Sequence, residues 1–235
     1  MNLSVNRSEE IGEINGPSHT YVLNGINNPN AAGQVPEYVD RLIQKLADFG
    51  VAGATGIALF EGTNQLSGAA EFIADSFLTL TFSELSANMS KIYNSVAADI
   101  ASGVIQVGDT INMIAHSGAG QAVLAVASKL FESFGLKLNV SLYGSPVFWP
   151  ILSSNVVNMQ VLNGDADELI DLISKSTYPL YPAQFLIRGG RYVQETLAGM
   201  HHIAEPTYHS DQQYQDTGLT YIEYLAQKIA NFLTV

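Results

Sequence analysis

One serine lies inside a run of small residues, Ala115-His116-Ser117-Gly118-Ala119. An apolar, β-prone stretch ("INMIA", 111–115) leads into it and a glycine-spaced, helix-prone stretch leaves it. A serine hydroxyl is a poor nucleophile until a base takes its proton and amide donors catch the oxyanion. A tight turn from strand to helix meets part of that need. It projects the side chain from a strained apex and aims the first helix amides at the same point. Such a turn is crowded, so the residues two before and two after the serine have to be small, as Ala115 and Ala119 are. The competing reading is a plain Gly-rich turn. His116 is expected to point away from Ser117 and to pack or hydrogen-bond in the sheet. Ser145, in "LYGSPVF" (142–148), also ends a strand, but it lacks the small flanking residues and is expected to be structural.

The bulk composition narrows the chemistry further. The chain has no cysteine, which excludes disulfides, thiolate nucleophiles and cysteine-ligated zinc. No histidine pair at i, i+4 with a nearby acid stands out, so no metal site is expected. The net charge of −12 repels phosphate backbones and anionic membranes, so no nucleic-acid partner is expected. A 47% hydrophobic and 14% charged composition over 235 residues suits one compact domain spanning 1–235. No apolar run nears the roughly 18 residues of a spanning helix. The polar, acidic start is unlike a signal peptide, so a cytoplasmic location is expected. A Rossmann-type nucleotide binder is excluded for want of G-x-G-x-x-G after the first strand.

Strands and helices alternate along the chain. Strands are expected at 19–25, 51–62, 110–116, 138–144 and 155–164, with 183–190 as another. Helices are expected at 36–50, where Val39, Leu42, Ile43 and Leu46 share a face, and at 86–103, with a serine cap and a glycine stop. Two more are expected at 118–135 and 217–233. This alternation implies an α/β fold, a mostly parallel sheet with helices on both faces. Functional groups then gather at the carboxyl ends of the strands, in the turns after 24, 60, 116, 144 and 163. Segment 63–85 breaks the pattern. Rich in Phe and Leu, it is either an extra core helix or a lid, a hydrophobic wall over a site.

With a strand before it and a helix after it, the Ser117 turn resembles the nucleophile elbow of the α/β-hydrolase superfamily. That elbow is usually written G-x-S-x-G, and here alanines replace both glycines. The resemblance runs in order from about residue 19 to 233. It implies a three-layer α/β-hydrolase-like sandwich and a triad in the order Ser, acid, His. After the strand at 155–163, Gly164-Asp165-Ala166-Asp167 fits the superfamily's acid loop, making Asp167 the implied acid with Asp165 in reserve. Glu168 and Asp171 read as solvated helix-start charges. Of the histidines before the last helix, His209 lies in the loop that carries the base in many members; His201 and His202 are the alternatives. The resemblance also places an oxyanion loop after the first strand. There the amide of Ile26 or Asn27 would join that of Gly118, although Asn24-Gly25 is equally a simple turn.

The expected activity is that of a serine hydrolase of carboxylic esters, esterase- or lipase-like, with a small-molecule or lipid ester as substrate and no cofactor. Phe72, Phe77 and Phe82 would fit an acyl-binding wall. An acyltransferase or thioesterase using the same triad is the alternative. A non-catalytic hydrolase-fold binding module is the reading from another class; an intact Ser, Asp and His in order stands against it.

Overall fold

The computed structural model describes residues 19–26, 34–60, 85–147, 152–165, 180–200 and 211–234. Among these, six strands form one sheet and five helices flank it. In chain order they are β1 (His19–Leu23), α1 (Glu37–Asp48), β2 (Ala54–Ile57), α2 (Ala87–Ser102), β3 (Thr110–His116) and α3 (Ala119–Phe134), followed by β4 (Lys137–Tyr143), β5 (Val156–Gly164), α4 (Tyr181–Arg188), β6 (Arg191–Leu197) and α5 (Tyr221–Leu233). None of the described helices is long and apolar enough to cross a membrane.

Every strand pairing is parallel, in the order β2-β1-β3-β4-β5-β6. Parallel neighbours need long crossovers, and the helices supply them on both faces. Side chains alternate accordingly. Tyr21, Leu23, Met113, Ala115 and Val140 pack with α2, α3 and α4, whereas Val22, Ile114, Tyr143 and Leu162 pack with α1 and α5. The chain runs outward from β1 to β2, then returns to lay β3 on the other side of β1. The strand order therefore reverses between β1 and β3, and open α/β sheets bind ligands outside the carboxyl ends of the strands at such a switch point.

Local signals set most of the helix ends. Ser86 Oγ accepts the Met89 amide at 3.1 Å to start α2, and Gly103, at φ 81°, ends it. Helix α5 opens on a capping box in which the Glu223 carboxylate accepts the Thr220 amide at 3.0 Å and Thr220 Oγ1 accepts the Glu223 amide at 3.4 Å. Lys45 of α1 donates to Glu223 at 2.8 Å, joining the two helices of that layer. The Lys45 hydrogen bond first, and the Thr220 bonds after it, pull the Glu223 carboxyl from its usual 4.5 down to about 2. A carboxyl depressed in the folded state stabilises fully above its unfolded pKa and loses that contribution as pH falls through the folded one. Glu223→Ala is therefore expected to cost about 1 kcal/mol at pH 7. In urea unfolding, the gap to the parent protein should close as pH falls from 4.5 towards 2.

Two expectations are corrected. The strand expected at 183–190 is helix α4, and β6 follows it. Pro182 starts this helix, Tyr181 and Phe185 bury one face at i, i+4, and Gly189, at φ 74°, stops it. Eight residues are too few for the 3.6-residue period to show against a β-prone "FLI". The strand expected at 51–62 covers only Ala54–Ile57; Leu59 and Phe60 belong to a loop that side chains hold.

Candidate active site

Strand β3 feeds directly into α3 through Ser117, which has φ 50° and is only 7% exposed. Only three described non-glycine residues have positive φ, and two of them, Ser117 and Phe60, come together at Gly118. The left-handed region costs a β-carbon residue roughly 1–3 kcal/mol and persists where its surroundings over-determine it. Here the Ser117 amide donates to the Tyr143 carbonyl at 3.2 Å, and its own carbonyl accepts the Gly120 amide at 3.1 Å. The strained apex is thus pinned to β4 on one side and to the first turn of α3 on the other. Gly118 opens that turn, so the positive end of the helix faces the serine. The small residues expected around the bend, Ala115 and Ala119, are wholly buried.

The loop after β1 closes against this apex. A β-carbon added to Gly25 would lie 2.5 Å from Ser117 Cβ, so only glycine allows the approach. Ile26 and the Phe60 ring both come within 3.1 Å of where a β-carbon on Gly118 would stand. Ile26 and Gly118, two of the three residues expected to form the oxyanion hole, are therefore brought together beside Ser117. The third, Asn27, lies outside the described residues.

Asparagines hold this loop. Asn24 Nδ2 donates to the Leu59 carbonyl at 2.9 Å and to the Gly25 carbonyl at 3.0 Å, while its Oδ1 accepts the Leu59 amide at 2.7 Å. Asn88 Oδ1 accepts the Phe60 amide at 3.0 Å. The strain at Phe60 is thus fixed by two side chains from other elements. Neither clamp is legible in the sequence, because each joins segments distant along the chain. Asn24→Ala leaves the buried amide and carbonyl of Leu59 without these partners, a loss of about 2–4 kcal/mol. A denaturant midpoint measured on Asn24→Ala beside the parent protein checks this.

His116 lies two residues from Ile114 in β3 and so shares its face. It is buried, its Nδ1 is 3.0 Å from the Tyr38 hydroxyl, and its ring stacks on Tyr143 at 4.7 Å. This is the place in the sheet expected of it. Ser145 is likewise structural in its contacts. Its Oγ donates to the Ala115 carbonyl at 3.1 Å, and it packs so closely on α3 that a β-carbon at Gly120 would lie 2.7 Å from it. Tyr38 and Tyr143 are not anticipated by the sequence reading; an aromatic with a hydroxyl on a helix face reads there only as core. Burial pushes the Tyr143 phenol well above its ordinary range, and Tyr38 beside it adds to this.

At the end of β5, Asp165 is exposed and its Oδ1 accepts the Gly199 amide at 2.6 Å, which ties it to the turn after β6. Asp167, His209, His201, His202, Glu168, Asp171, Phe72, Phe77 and Phe82 lie outside the described residues, as does nearly all of segment 63–85. No cluster of three metal-ligating side chains occurs among the described residues.

No family model matches the chain, and no curated protein matches it in sequence. Solved structures do match. A dienelactone hydrolase-like promiscuous phosphotriesterase, P91, from metagenomic libraries superposes with TM-score 0.58 at 14% identity, over 94% of this chain and 87% of that one. The fold is that of the α/β-hydrolases. Two further structures with this fold agree. SOBER1 of Arabidopsis thaliana has TM-score 0.53 at 11% identity over 92% of this chain and 97% of that one. The Francisella virulence factor BioJ has TM-score 0.54 at 11% identity over 94% and 78%. Ser117 lies in the strand-to-helix turn between β3 and α3, at the carboxyl end of this sheet.

Proposed function

We propose that this chain is a serine hydrolase that cleaves carboxylic esters through an acyl-enzyme. Ser117 Oγ attacks the ester carbonyl carbon while His209 takes its proton. The tetrahedral intermediate collapses, and the same proton passes to the leaving alcohol. Water then attacks the acyl-enzyme with His209 again as base, releasing the acid and restoring Ser117. Asp167 orients His209 and stabilises its imidazolium. The amides of Gly118 and of Ile26 or Asn27 receive the oxyanion; one such donor is worth about 3 kcal/mol of barrier. The Phe72, Phe77 and Phe82 side chains would receive an aliphatic acyl group. The scheme needs no metal or organic cofactor.

The observation that carries this reading is Ser117 at φ 50° between β3 and α3, with the β1 loop pressed against it. Strain of this kind at a switch point supports a chemical role. Asp165 is already bonded to the β6 turn, which favours Asp167 as the acid. A fluorophosphonate probe, which reacts only with activated serines, tests the reading. Labelling is expected in the parent protein and in Ser145→Ala, slowed strongly in His209→Gln and Asp167→Asn, and lost in Ser117→Ala. Labelling that survives Ser117→Ala would sink the mechanism.

A further inference from the structure

A buried hydroxyl links the loop after β1 to the end of β3. Tyr38, at the start of α1, accepts the Gly25 amide at 3.2 Å and lies 3.0 Å from His116 Nδ1. Its ring meets the His116 ring edge-on at 5.5 Å, and Tyr143 stacks on the same imidazole. Gly25 approaches Ser117 as closely as it does for want of a β-carbon, and His116 directly precedes Ser117. One oxygen atom therefore ties the loop expected to catch the oxyanion to the side chain of the residue that precedes the nucleophile. Asn24 holds the same loop from the β2 side, so the Gly25 peptide is gripped on both flanks.

We propose that Tyr38 is a positioning residue of the oxyanion loop, its hydroxyl setting the distance between the Gly25–Ile26 backbone and Ser117. The inference rests on the hydrolase reading of Ser117. Because an oxyanion forms only on the way to the tetrahedral intermediate, a misplaced loop lowers kcat and spares KM. The Gly25 amide itself is turned into the protein towards Tyr38.

The test is Tyr38→Phe, which keeps the ring and removes the oxygen. With a short p-nitrophenyl ester, kcat is expected to fall about 10-fold with KM within about twofold, and butylboronic acid, which forms a tetrahedral serine adduct, to inhibit about 10-fold less well. A purely structural role would lower thermal stability without weakening the boronate relative to the ester. If the parent protein takes up neither fluorophosphonate nor boronate, the hydrolase reading fails and this inference falls with it. If the parent reacts at Ser117 and Tyr38→Phe matches it in kcat and boronate affinity, the inference alone is overturned. Should Tyr38→Phe not fold, His116→Phe removes the other anchor and keeps a ring on Tyr143. A kcat there equal to the parent's overturns the proposal, and a severalfold fall sustains it.

Discussion

Ser117→Ala is expected to lower ester turnover on the order of 10⁴-fold or more, since removing the nucleophile of a triad removes the whole relay. The same site carries a second and opposite expectation. Ser117 holds φ 50° while only 7% exposed, and a β-carbon in that region is strained. Ser117→Gly removes the β-carbon and should raise stability by about 1 kcal/mol, or about 2–4 °C in Tm for a chain of this size. The two variants together separate chemistry from folding. Both should be inactive, and only the glycine should melt higher than the parent. A Ser117→Gly protein that melts lower would mean that the turn is relaxed and that its backbone carries no stored cost.

Gly25→Ala is the second large effect. The new methyl would sit 2.5 Å from Ser117 Cβ and 3.2 Å from both the carbonyl oxygen and Nδ1 of His116. None of these is the far end of a flexible side chain, so the loop after β1 has to back away. Over-packing of this kind costs about 1–3 kcal/mol. The displacement, on the order of 1 Å, falls where the oxyanion amides would stand, and a misplacement of that size costs about 10²-fold in rate. Stopped-flow measurement of the acylation burst, alongside a urea melt, reads both quantities. Full activity in a folded Gly25→Ala protein would show that the β1 loop does not serve Ser117.

Elements whose signals lie within a few residues are legible from the chain. Ser86 and Gly103 bracket α2, and Gly135, at φ 65°, ends α3, because caps and stops act on neighbouring backbone. The Ser117 turn is legible for the same reason: crowding at a strand-to-helix bend is a local constraint, and Ala115 and Ala119 answer it. The places of His116 and Ser145 are legible too, the one by strand alternation and the other by its missing small neighbours. Helix α4 reads as a strand because its second turn points Leu186 and Ile187, 84% and 85% exposed, out to solvent, so its apolar residues spread beyond the face that Tyr181 and Phe185 bury.

The amino-acid sequence by itself determined the α/β alternation, the parallel sheet covered on both faces, and Ser117 as the residue at the bend, since each follows from periodicities and steric limits a few residues long. Only the tertiary structure decided the strand order, with its switch between β1 and β3, and what that order assembles. The Tyr38 hydroxyl meets His116 across 78 residues of chain, and Asn24 meets Leu59 across 35. Buried and half-buried asparagines form a ladder across four strands, Asn158 to Asn139 to Asn112 to Thr20, each amide donating to the next. In sequence these are single polar residues inside apolar strands. A buried polar group must find a partner, but nothing local says which, and the answer exists only once the strands are laid side by side.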